Sequence, residues 1–308
     1  MGVLETLWDK FLANPERNSK IMAVIFLFQL IPIVYPLGIP VPETVFTTDY
    51  MALVEGGTMS YGRDMPGMQA GEILVWGNLA ESAGGYNTDR DNYAAQLQHI
   101  IAEKGLKLVM ARFATGAGPV FLDIIRRYFD NNYPGLMVYG ENYVISEYLP
   151  GREAAVKYFA ENIGATRDMF NNRIDSYPGF SNIGDMNDIQ YSFGTVERTT
   201  DHDIFIRQWG TEYPNHEFML AEFLVAAPYY GGIITALTYG TSATELQFKL
   251  LTTYGKSHFA GEQLITVEIT QLGVLTFIPL LIWGFIVNWR RALKEGVSFT
   301  PKVGERGQ

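Results

Sequence analysis

Cysteine is absent from the 308 residues, which removes disulfides, thiolate zinc sites, iron–sulfur ligation and a cysteine nucleophile together and leaves the redox compartment open. Histidine is scarce: His99, His202, His216 and His258 are the only four, so a histidine-based catalytic system has little to draw on. Positive charge is short as well, with 23 Lys and Arg against 33 Asp and Glu and a formal net charge of −10. No basic stripe offsets that excess. A surface of this sign repels phosphodiester backbones, so no nucleic-acid partner is expected. Catalytic signatures are missing too: there is no GxSxG elbow, no GxxxxGK[ST] loop and no HExxH pair, so acyl transfer, nucleotide binding and zinc hydrolysis have no motif to stand on. Aromatic residues, by contrast, make up 14% of the chain, which is incompatible with disorder.

What the chain does have is two uncharged hydrophobic runs. Ile21–Pro42 contains a single strongly polar residue, Gln29, and Ile269–Trp289 is followed at once by Arg290, Arg291 and Lys294. Each is long enough to cross about 30 Å of hydrocarbon as a helix. Pro32 is tolerable as a kink, whereas Pro36, Pro40 and Pro42 mark the end of the first span. Eight of the 23 basic residues lie in the flanks 1–20 and 288–308, which places both termini in the cytoplasm and the acidic middle of the chain outside it. The expected organisation is a cytoplasmic amphipathic segment 1–20, transmembrane helices over 21–42 and 269–289, an extracytoplasmic domain over 43–268 and a cytoplasmic basic tail 290–308. Within the second span, Thr270, Gln271, Gly273 and Thr276 offer small and polar positions for packing against another helix.

The middle region reads as α/β. Strands are expected at Glu72–Asn78, Lys107–Phe113 and Asn142–Leu149, each followed by a helical stretch, the order that builds a doubly wound, flavodoxin- or Rossmann-like, mostly parallel sheet. Residues 164–200 are rich in Asn, Asp, Gly and Ser and read as a mobile surface excursion. Strands are then expected at Asp203–Gly210 and Glu222–Pro228, and helices over GGIITALTYG and ATELQFKLLTTYG. About five strands are expected in all.

Ligands of open parallel sheets lie past the carboxyl ends of the strands. The loops there carry Asn78, Glu81 and Ser82 after the first strand, ATGAGP (Ala114–Pro119) after the second and LPGR after the third. Thr115, Gly116 and Gly118 let backbone amides approach a carboxylate or phosphate at a helix start, and Pro150 and Gly151 form a second turn of the same kind. A tight strand-to-helix turn uses the same residues, so both readings stay open. Asp201-His202-Asp203 and His216-Glu217 bring nitrogen and oxygen ligands together without the spacing that fixes a metal. Trp209, Tyr213, Tyr229 and Tyr230 suit either core packing or carbohydrate and protein contact. No catalytic residue, resident metal or cofactor is assigned.

The segments YGENYVISEYLPGREAAVKYFAEN and AAPYYGGIITALTYGTSATEL resemble an uncharacterised family of archaeal and bacterial membrane proteins. The resemblance spans the middle two thirds of the chain and implies a parallel α/β domain outside the membrane, with a Thr-Gly turn at Thr115-Gly116 and a Pro-Gly helix start at Pro150-Gly151. Thr244-Glu245-Leu246 stands where the family is more acidic. It carries over no catalytic residue. The leading expectation is a non-enzymatic, membrane-anchored subunit that meets the lipid bilayer and docks a protein partner or further copies of itself. The alternatives are an extracytoplasmic small-anion or sugar binding domain, and a hydrolase or transferase using carboxylates such as Glu81 or Asp203 with a metal.

Overall fold

The structure, a computed structural model, describes residues 6, 15–79, 83–196, 200–221, 228–238 and 241–294. The chain forms two compact units, Gly38–Leu264 and the paired flanks Met1–Leu37 with Ile265–Gln308.

The flanking unit corrects the expectation of two spanning helices. Helix α1 covers Pro15–Gln29 and a single further turn, α2, covers Ile31–Val34. From Tyr35 the chain is extended. Pro32, with no N–H to give the preceding turn, interrupts the helix at Leu30, and Pro36, Pro40 and Pro42 keep the rest of the run 21–42 from resuming it. The apolar helical stretch Ser19–Val34 therefore rises only about 24 Å at 1.5 Å per residue, short of a hydrocarbon core of about 30 Å. Among the described residues one helix is long and apolar enough to cross a membrane, Glu262–Lys294, which contains the whole of the second run and rises about 50 Å. Gly273 on it faces Gln29: a β-carbon at Gly273 would stand 3.3 Å from Gln29 Nε2, so its missing side chain is what admits the glutamine. Buried Glu268 accepts the Leu37 amide at 2.9 Å, satisfying a backbone donor where the extended segment follows the helical turn. The amphipathic segment lies, but for Thr6 and 15–20, outside the described residues, as does the basic tail from 295 onward.

Among the described residues of the larger unit six strands form one sheet: β3 (Ile73–Asn78), β4 (Lys107–Arg112), β5 (Tyr143–Tyr148), β6 (Tyr191–Thr195), β7 (Glu217–Ala221) and β8 (Ala236–Thr238). Their order is β5-β4-β3-β6-β7-β8, every pair parallel. A small antiparallel pair, β1 (Gly57–Thr58) and β2 (Asp64–Met65), precedes them. Three strands run one way from β3 and three the other way from β6, so this is an open parallel α/β sheet whose strand order reverses between those two.

Alternation along the strands sorts the core into two layers. Leu74 and Trp76, Leu108 and Met110, and Tyr191 and Phe193 pack with helices α3 (Val45–Glu55), α4 (Ala83–Leu97), α5 (Ala117–Ile124) and α8 (Thr241–Tyr254). Val75, Val109, Ala111 and Val144 face the other way, against α6 (Glu153–Glu161) and α7 (His202–Phe205). Helices α4, α5 and α7 each continue into π-helical turns. On the second face Gly77 and Gly194 are register partners, and a β-carbon at either would press on the Phe205 ring, at 2.8 Å and 3.0 Å. Two neighbouring strands give up a side chain so that the aromatic helix can lie flat on them. Buried Glu245 on α8 accepts the amide and hydroxyl of Thr44, at 2.8 and 2.7 Å, and the Thr47 hydroxyl at 3.1 Å, capping α3 from a second helix.

Three expectations change, and a fourth falls on residues outside those described. Asp203–Gly210 is the helix α7 and its π-helical continuation, not a strand: the place beside β6 is taken by β7, and Phe205 and Trp209, four apart, cover the sheet face instead. The run GGIITALTYG contains a strand, β8, that completes the sheet edge through register with β7. The strand expected at Glu222–Pro228 lies outside the described residues up to 227; β7 precedes it. Finally, 164–200 is no loose excursion. It supplies β6 and buries Ile174, Phe180, Ile183, Met186 and Ile189 in the second core layer.

Candidate functional site

The carboxyl edge of the sheet ends in one transverse row of register partners: Tyr148, Arg112, Asn78, Thr195, Ala221 and Thr238. Arg112 stands out in it. Residues Leu108 to Ala111 before it are fully buried aliphatic positions, and the strand closes on a guanidinium that must go somewhere. A bulge sets where. Met110 pairs with Ile145 but Arg112 pairs with Tyr148, so β5 carries one residue more than β4 across this step. Buried Ser146 repairs the ladder by accepting the Arg112 amide at 2.9 Å.

The side chain lies against the start of α5. A β-carbon at Gly118 would stand 2.8 Å from Arg112 Nε and 2.9 Å from Cζ, so the guanidinium occupies the space an ordinary side chain would fill. Buried Nε has no hydrogen-bond partner, and among the described residues Arg112 forms no ion pair. A buried donor left unpaired costs about 1–3 kcal/mol. The guanidinium borders a cavity of about 220 Å³ whose other walls are Gly118, Pro119, Leu122, Ile145 and Met169.

One wall is held by a polar hub. Asp168 is buried and accepts the Tyr177 and Tyr139 hydroxyls at 2.6 and 2.8 Å, and the Asn172 and Phe170 amides at 2.8 and 2.9 Å. Burial works against its ionisation, but these donors outweigh burial and hold the carboxyl below its usual range. Burial, and then the Asp168 carboxylate, push both tyrosines up. Met169 itself donates its amide to the Ile145 carbonyl at 2.9 Å, which fixes the wall against β5.

Of the described residues expected at the site, Gly118 lines this cavity and the others are not among its lining residues. Gly116 is the residue before α5, with φ −73° and ψ −15° and no side-chain cap, and Thr115 beside it is exposed. Asn78 is fully buried at the end of β3. Pro150 and Gly151 are exposed and lead into α6 on the opposite face; Gly151 (φ 112°) and Arg152 (φ 47°) turn the chain so that Arg152 pairs with buried Asp201. That turn serves an ion pair, not the cavity. Glu81 lies outside the described residues.

His202 Nε2 is 3.0 Å from Asp203 Oδ1, and no group of three or more His, Asp or Glu that could hold a metal occurs among the described residues. His216 is buried between the Ser192 hydroxyl at 2.7 Å and the Tyr213 carbonyl at 2.5 Å, and burial pushes its pKa down. Trp209 is core, and the Tyr230 hydroxyl donates to Asp49. Arg112 is not among the loop residues and carries one signal in the sequence: it is a basic residue closing an apolar strand just ahead of a glycine-rich turn. No family model, curated protein or solved structure matches this chain.

Proposed function

We propose that the chain is a membrane-tethered α/β domain that binds a small anion at the carboxyl edge of its sheet. The observation that carries this is Arg112: a guanidinium with a buried, unpartnered Nε beside a cavity, at the end of the fold where open α/β sheets take their ligands. An anion there would give the guanidinium the charge-assisted hydrogen bonds it lacks. In the first turn of α5 Pro119 has no N–H and the Ala117 and Val120 amides already donate to Ala114 and Gly116, which leaves the Gly118 amide to add a donor.

The tether rests on the helix Glu262–Lys294, which exposes Leu275, Leu281, Phe285 and Leu293 at 62–72% of their surface. So much exposed aliphatic surface on one helix is costly in water and favourable in lipid. In this reading Arg290, Arg291 and Lys294 at the end of that helix lie on the cytoplasmic side and the acidic domain lies outside. A second reading, a non-enzymatic subunit docking a protein or further copies of itself, draws on the same exposed side chains. Mass measurement in mild detergent tests it, and a monomer without companions contradicts it.

Thermal unfolding of the full-length, detergent-solubilised chain tests the main reading. Millimolar acetate or phosphate raises the midpoint of the wild type and leaves Arg112→Gln unmoved; equal shifts in both proteins contradict it.

A further inference from the structure

The Arg112 cavity has one charged wall and several apolar ones. Arg112 supplies a single planar, permanently positive fork, while Pro119, Leu122, Ile145 and Met169 present hydrocarbon or thioether surface. None of the lining residues adds a second cation or a side-chain hydroxyl. A phosphate dianion placed here would keep part of its charge against those apolar walls, where unpaired charge is heavily penalised. A carboxylate fits the fork edge to edge with both oxygens used, and its remaining substituent meets the apolar side. At about 220 Å³ the space has room for a short hydrocarbon substituent.

We infer that the ligand is a monocarboxylate with a short apolar body, its head on Arg112 and its body against Leu122, Ile145 and Met169; this rests on the anion-binding reading above. Methionine, unbranched and polarizable, is suited to closing around such a body. Affinity then grows with the hydrocarbon, about fourfold for each methylene buried, and stops growing once the cavity is full.

The test is calorimetric titration of the full-length chain in detergent with acetate, propionate, isovalerate and isocaproate, and with inorganic phosphate, on wild type, Arg112→Gln and Leu122→Gln. Leu122 is half-buried, so its replacement is tolerable, and the Leu122→Gln melting curve checks folding. The expected result is isovalerate at least tenfold tighter than acetate on wild type, loss of all binding in Arg112→Gln, and a flattened chain-length dependence in Leu122→Gln. Phosphate bound more tightly than isovalerate overturns the ligand class and leaves the anion site standing. A chain-length dependence that persists in Arg112→Gln reports partition into the micelle and overturns the inference. No binding of any anion overturns both.

Discussion

The guanidinium of Arg112 rests on the α-carbon of Gly118, with Nε 2.8 Å from where a β-carbon would be. The glycine's part in the ATGAGP turn is therefore to make room for a cation at the strand end. Gly118→Ala forces the guanidinium to move. Alanine favours the helix by about 1 kcal/mol over glycine, which offsets most of the crowding because the obstructing group is the far end of a long side chain. We expect stability within about 1 kcal/mol of wild type by urea unfolding, together with at least a tenfold loss of anion affinity. Unchanged affinity would remove Arg112 from the site.

At Gly77 the crowding falls on rings that cannot move. A β-carbon there meets Trp209, Phe205 and Phe113, all buried. Overpacking of this kind costs about 1–3 kcal/mol, so Gly77→Ala should lower the unfolding free energy by that amount and shift the denaturation midpoint down accordingly. A neutral or stabilised variant would mean that the aromatic helix does not lie on β3.

Asp168 makes the domain sensitive to acid. Its carboxyl is held below the unfolded value, so its contribution is complete above the ordinary carboxylate range and is lost as pH falls through the lower, folded pKa. Asp168→Asn should lower stability at neutral pH and flatten the acid limb of the stability curve, because the amide no longer titrates. Parallel curves for the two proteins would show that the hub does not couple protonation to folding. Since the hub holds the Met169 wall, ligand affinity should fall in the same variant.

Glu245 is the acceptor for three donors of the segment before and within α3. Glu245→Ala leaves them without it in a buried place, at about 1–3 kcal/mol. Hydrogen exchange of the amides at 44–47 should accelerate along with the loss of stability; protection unchanged there would contradict the cap.

The sequence shows some of this plainly and hides the rest for physical reasons. Leu74–Trp76 and Leu108–Ala111 are unbroken apolar runs, the mark of strands buried on both faces, and the parallel sheet follows from them. Tyr191–Thr195 is as buried but reads as loop, because Ser192 and Gly194 lower its hydrophobic signal; Gly194 is there for Phe205, a contact no local pattern reveals. Ile204 and Ile206 look like strand residues and sit on a helix, since the sheet has no free place beside β6. At the site, the glycines of ATGAGP were visible as a turn. What makes the turn a candidate is Arg112, whose lack of an ion pair among the described residues is a tertiary fact that no local pattern shows.

The most direct test of the account is the side-chain Nε–H resonance of Arg112, followed by NMR in the full-length detergent-solubilised chain during titration with isovalerate and assigned by its loss in Arg112→Gln. The account predicts a saturable shift of that resonance, larger than for any other arginine and with the dissociation constant found by calorimetry. An Arg112 resonance that stays in place while the ligand binds would put the ligand elsewhere and contradict the account.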